Sequence, residues 1–118
     1  MALEFPPTIA DAARDIAAGT LSPVDLVELC LARIAQFDPG LRSYLLVRAD
    51  EARREARAAA DEIRRGLLRG KLHGIPIALK DAIDTAGVRT TIGSRVFADR
   101  VPTHDAELVA RLKRAGAI

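Results

Sequence analysis

Lys80 closes a run that is otherwise apolar, Ile75-Pro76-Ile77-Ala78-Leu79. A lysine buried without a partner is costly, so its place at the end of this run asks for an explanation. If the run is a strand, its side chains alternate. Ile75, Ile77 and Leu79 then share one face, and Pro76, Ala78 and Lys80 the other. The lysine projects on the side lined by small residues, where a ligand or another element can come close. It also ends the strand at its C-terminal end, where open α/β sheets hold their ligands. The plainer alternative is a lysine that snorkels to solvent at a strand edge, as most lysines do.

Other polar residues surround the run. Asp81 can tune the lysine, or it can bond nearby backbone or a partner helix. Asp84 and Thr85 suit a turn. His73 and His104 are far apart in sequence, and no metal-ligand spacing accompanies them. No phosphate-binding glycine loop is present, and no cofactor is implied. Cys30, the only cysteine, reads as a core residue of a helix.

Helices must position this segment. Thr8 can cap a first helix, with Asp11 placed as in a capping box and Gly19 as its end. "SPVD" opens a second: Ser22 as cap, Pro23 at the first helical position, Asp25 closing the box. Val27, Cys30, Leu31 and Ile34 give it an apolar face. "DPG", Asp38 to Gly40, is expected to stop it, and "SYLLV", Ser43 to Val47, to form a strand. Asp50 to about Leu67 predicts a charged helix with Ala52, Ala56, Ala59 and Ile63 as its buried stripe. Asp61 and Arg65 are expected to pair on its wet side. A last helix is expected from about His104 or Asp105 to Ala115. Leu108, Val109 and Leu112 would be its apolar face and Gly116 its cap. The chain thus reads as a helical part, 8–68, followed by a strand, loop and helix region, 72–118.

Composition narrows the partners. With 49% hydrophobic and 29% charged residues, the 118-residue chain is ordinary globular material. Its net charge is +2 and its aromatic content 3%, with no basic run, which argues against a nucleic-acid platform. The first residues lack the basic-then-apolar pattern of a signal peptide, and no run suits a membrane span. A single cysteine fits a reducing cytoplasm. Strand Ile75–Lys80, a helix, Gly116 and then Ala117-Ile118 resemble the opening of a βαβ unit. A parallel strand needs neighbours, and too few strands are legible to supply them. The expected fold class is therefore α/β, with these residues as the front part of a larger domain.

"LHGIPIALKDAIDTAGVRTTIGS" followed by "VPTHDAELVARLKRAGA" resembles the amidase signature family, whose members carry "GxPxxxKDxxD", "TTxGS" and "DAxxVxxLxxAGA". The helices from Thr8 onward are similar too, so the resemblance spans nearly the whole chain. It implies the N-terminal segment of an amidase-signature fold: helices, then the first strands of a mixed sheet. It implies that Lys80 is the far member of a Ser–cisSer–Lys triad, acting as a neutral base through a bridging serine. A lysine needs its pKa of ~10.4 lowered by burial to do so, and Ser–Lys pairs are a known variant of triad logic. The family's two catalytic serines and oxyanion hole lie downstream of the matched region. Ser22, Ser43 and Ser94 are the only serines here, and none matches them. Ala82 stands where many members carry Asn, so that side chain's contacts do not carry over. Thr90, Thr91, Gly93 and Ser94 fit either a cleft wall or strand packing. The implied reaction is hydrolysis of a small-molecule amide through an acyl-serine, with no metal or organic cofactor. The implied partner is the remainder of the amidase chain, and a homodimer is compatible. These residues alone are expected to be inactive. Two other readings stay open: the glutamine-hydrolysing subunit of a tRNA-dependent amidotransferase, and a non-catalytic fragment or interaction module.

Overall fold

A computed structural model describes Pro6 and residues 8–118. Among them are four α-helices: α1 (Ile9–Ala17), α2 (Pro23–Leu41), α3 (Ala49–Arg64) and α4 (Glu107–Arg114). A single 3₁₀ turn covers Arg95–Phe97. The chain divides into two compact units. One runs through Pro76 and includes Ala115–Ile118; the other is Ile77–Arg114.

The helical unit begins as its capping residues dictate. The Thr8 hydroxyl accepts the Asp11 N–H and donates to the Asp11 carboxylate at 2.6 Å. Gly19 follows α1 with φ of +74°, the left-handed conformation that a helix end favours. Ser22 caps α2 by accepting the Val24 N–H at 3.1 Å. Asp25, expected to close a box there, makes no such bond. Leu26 and Val27 are buried, while Cys30, Leu31 and Ile34 are only half-buried.

"DPG" does not stop α2. The helix continues through Pro39 and Gly40 to Leu41. A proline deletes its own N–H and crowds one carbonyl, and here it does so in the last turn, where little helix remains to break. The stop is made instead by Arg42, left-handed at φ 52°, whose N–H bonds the Asp38 carbonyl at 2.7 Å. The Asp38 carboxylate then takes the Ser43 N–H at 2.6 Å. Ser43 to Val47 is consequently a loop rather than the expected strand, with Tyr44 to Val47 exposed.

α2 and α3 lie against each other. Ala56 and Ala59 are the buried residues of α3, and Ala52 and Ile63 are half-buried. Small side chains let the helices approach, so Ala12, Ile16, Leu26, Val27, Ala56 and Ala59 form the core of this unit. α3 stops at Arg64, short of Leu67. Asp61 pairs with Arg64, one residue before the expected Arg65, whose side chain donates to the Asp61 carbonyl instead. Arg53 makes a two-pronged bond to Glu28 at 2.6 and 3.1 Å, tying α3 to α2.

His73, 2% exposed, anchors the end of this unit. Its Nδ1 accepts the Arg69 N–H at 3.1 Å, which leaves Nε2 to carry the proton toward Glu62 at 3.1 Å. Two glycines are fixed by crowding here. A Cβ on Gly74 would lie 2.6 Å from Pro23, and one on Gly116 would lie 2.5 Å from the His73 ring. Both carry positive φ.

Ile75–Lys80 is not a strand: among the described residues, backbone pairing reaches only its first residue. Ile75 accepts the Ile118 N–H, and Gly74 donates to the Gly116 carbonyl, each at 2.9 Å. Pro76 to Leu79 make no backbone–backbone hydrogen bond with any described residue. Burial fades along the run instead of alternating, from buried Ile75 to exposed Ala78, Leu79 and Lys80.

The unit Ile77–Arg114 is ordered mainly by loops. Gly87 and Thr90 donate backbone bonds to Pro102 and Arg100 at 2.9 and 3.0 Å. α4 starts at Glu107, later than expected. Asp105 is held by the Ala86 N–H and the Lys113 ammonium, and Ala106 donates to the Asp84 carbonyl. Val109 is the buried residue of α4, whereas Leu108, assigned by sequence to the apolar face, is half exposed.

Candidate functional site

Lys80 is solvent-exposed, as the plainer reading of a solvated lysine has it and unlike a buried strand end. The reason is the absence of any paired neighbour along Pro76–Leu79 among the described residues. Its ammonium makes no hydrogen bond or ion pair with a described residue. Its carbonyl accepts the Ile83 N–H at 3.0 Å, which closes a turn over 80–83.

Asp81 behaves oppositely. One carboxylate oxygen accepts the Thr91 N–H at 2.8 Å. The other takes the Thr91 hydroxyl and the Gly93 N–H, the latter at 3.2 Å. The Asp81 carbonyl accepts the Ile92 N–H at 2.8 Å. The "TTIGS" segment thus curls its N–H groups around one residue, in the manner of a backbone nest around an anion. The Thr91 hydroxyl first, then the Thr91 and Gly93 N–H groups, hold the Asp81 carboxyl below its ordinary value.

That curl needs left-handed backbone. Ile92 has φ of 56° and Gly93 of 67°. Glycine adopts this freely, but a β-branched residue there is strained by about 1–3 kcal/mol. Its surroundings must impose the conformation, and the bonds to Asp81 are the ones that reach it.

The remaining sequence candidates have local tasks. Asp84 and Arg100 form a two-pronged pair with both contacts at 2.7 Å. The Arg100 hydrogen bond holds the Asp84 carboxyl below its usual range. Thr85 and Thr90 are buried, and each hydroxyl donates to a carbonyl two residues back. Ser94 caps the 3₁₀ turn by accepting the Val96 N–H at 3.2 Å. An open depression of about 560 Å³ is lined by Ala82, Asp84, Ile92, Arg100, His104 and Leu108 among others. Lys80 is not on its wall. Half-burial pushes the Cys30 thiol up, away from the reactive thiolate.

Ser94, the serine of the same unit as Lys80, serves as the cap of the 3₁₀ turn. The sequence reading that Asp81 bonds nearby backbone is met by the Thr91 and Gly93 N–H groups, but which loop supplies them, and the Asp84–Arg100 pair, were missed. Their only sequence signal is an acid ten or more residues from a Thr-rich or basic partner, which no periodicity detects.

No helix of the described residues is long and apolar enough to cross a membrane. The family model described as Amidase matches residues 25–118. One subunit of the glutamyl-tRNA(Gln) amidotransferase of Chloroflexus aurantiacus is 44% identical over 111 residues, which are 94% of this chain and 23% of that protein. Its counterpart from Azotobacter vinelandii is 46% identical over the same shares. The crystal structure of the peptide amidase from Stenotrophomonas maltophilia superposes with a TM-score of 0.88 at 40% identity. The match covers 98% of this chain and 24% of that one. The chain therefore spans less than a quarter of the length of these relatives.

Proposed function

The chain belongs to the amidase signature family, and from that premise we propose that Lys80 is the base of a serine-dependent amide-hydrolysing site. The observation that carries the reading is the contrast at one peptide. The Lys80 ammonium engages no described residue, while the Asp81 carboxylate next to it is fully occupied by the Thr91–Gly93 loop.

In this reading the nucleophilic and bridging serines come from the rest of the amidase domain. Neutral Lys80 accepts the nucleophile's proton through the bridging serine as the serine oxygen attacks the amide carbon. The same proton is returned to the departing nitrogen, which leaves as ammonia or an amine. Water then attacks the acyl-serine by the same relay in reverse order. A lysine does this near neutral pH only when desolvated. The rest of the domain would supply that by covering the exposed Leu79–Lys80 end. The unpaired Pro76–Leu79 backbone supports reading this run as a strand that pairs once the whole mixed sheet is present. The substrate is a small-molecule amide met in the cytoplasm, and in this reading the 118 residues alone are inactive, because the nucleophile and oxyanion hole come from the rest of the domain.

A second reading follows from the names of the curated relatives: a glutamine-hydrolysing subunit that works with partner chains in a tRNA-dependent amidotransferase. One experiment separates the readings. The full-length enzyme is assayed for ammonia or amine release from simple amides, peptide amides and glutamine, beside Lys80→Ala. Turnover of amides by the chain alone, lost in Lys80→Ala, supports the first reading. Turnover of glutamine only, dependent on added partner subunits, supports the second. Undiminished turnover in Lys80→Ala refutes the role given to the lysine in both.

A further inference from the structure

Lys80 has an asymmetric setting. On its N-terminal side, Pro76 to Leu79 form no backbone–backbone hydrogen bond among the described residues. On its C-terminal side, Asp81 receives four hydrogen bonds from three consecutive residues: the Thr91 N–H and hydroxyl, the Ile92 N–H and the Gly93 N–H. All three acceptor oxygens of Asp81 are used. A side chain can be aimed reproducibly only if its own backbone is fixed, and here the fixing is done one residue away.

We propose that Asp81 is a positioning residue for Lys80: its carboxylate and carbonyl oxygens lock the Thr91–Gly93 loop and so fix the peptide from which the lysine projects. The inference rests on Lys80 being the base. Two features make the lock specific. Ile92 is held at φ 56°, which a β-branched residue does not choose unaided. Thr91 contributes both of its donors, one to each carboxylate oxygen, so the carboxylate cannot rotate without losing both. A neutral amide at position 81 has one acceptor oxygen where the carboxylate has two. It therefore cannot reproduce the arrangement.

The test uses the full-length enzyme with rates expressed per titrated active site, so that loss of folded protein does not count as loss of rate. Asp81→Asn is expected to lower kcat about a hundredfold, as a displaced catalytic group does, while KM stays near wild type. Thr91→Val is expected to lower kcat about tenfold through the missing hydroxyl. Thr91→Ser, which keeps the hydroxyl, is expected to restore the wild-type rate. A residue that only supports folding would lower the melting temperature without moving kcat per site. If Asp81→Asn yields no folded enzyme, the Thr91 pair decides: equal rates in Thr91→Val and Thr91→Ser overturn the proposal. Wild-type kcat in Asp81→Asn, with Lys80→Ala inactive, overturns it as well while leaving the lysine's role intact. An active Lys80→Ala enzyme removes the base itself, a separate failure read from a separate variant.

Discussion

The two units are held together by different physics. In the helical unit, apolar side chains at helical spacing meet: Ile16 and Val27 are almost fully buried, and alanines bring α3 close to α2. In the unit Ile77–Arg114, carboxylates take backbone and side-chain donors: Asp81 from residues 91–93, Asp84 from Arg100, Asp105 from Ala86 and Lys113. The first unit has a core that happens to carry polar caps. The second has polar clamps with few buried apolar residues, Val109 among them. The candidate catalytic lysine lies in the second. The segment that carries Lys80 is thus fixed by hydrogen bonds whose geometry is specific, not by apolar contact, which is not directional.

In the amidase proposed above, the two units should respond differently to substitution. The largest stability effect belongs to the helical core. Ile16→Ala should destabilise by about 2–5 kcal/mol in chemical denaturation, with kcat per active site unchanged. An equal loss of kcat would mean that the helical unit also shapes the site.

Next come the crowded glycines. Gly74→Ala and Gly116→Ala should each cost about 1–3 kcal/mol, because each adds a methyl group against a neighbour at a positive φ. Thermal melts check this. Neutral behaviour at Gly116 would show that the His73 ring can move aside.

A smaller and local effect is expected in acid. The Asp81, Asp84 and Asp105 carboxyls are all held below their ordinary value of 3.8 by hydrogen bonds. A lowered folded-state pKa gives stability that is fully present above the unfolded value and is lost as pH falls through the folded one. Amide protection at Thr91, Ile92 and Gly93 should therefore drop below about pH 4, before that at Ile16 and Val27. Simultaneous loss would mean that the clamps are not a separate source of order. The smallest effect belongs to solvated pairs such as Arg14 with Asp11 and Asp15. Arg14→Ala should leave the melting temperature within error.

The same contrast decides what the sequence reveals. Thr8, Ser22, Pro23 and the alanine stripe act through local chemistry, so α1, α2 and α3 are legible from spacing. The end of α2 is not, because Asp38 and Arg42 act together where "DPG" alone suggests a stop. Ser43–Val47 and Ile75–Lys80 have the residues of strands, but strands also need partners, which single-chain pattern cannot supply. Lys80 is found by its incongruity in an apolar run and by the motif around it. Asp81 is visible as a neighbour, yet its task depends on a loop ten residues away that folds back over it. That return path lies in the φ of Ile92 and Gly93, and only the glycine hints at it in the sequence.

The most direct measurement is kcat against pH for the full-length wild-type, Lys80→Arg and Lys80→Ala enzymes, with circular dichroism to establish that each is folded. With lysine as the base, the wild-type rate rises with pH as the ammonium loses its proton, where chemistry limits the rate. Lys80→Ala loses most of kcat, and Lys80→Arg does not recover it, because a guanidinium cannot accept a proton. Near wild-type turnover in folded Lys80→Arg would contradict the account, since a residue that only carries positive charge would then suffice.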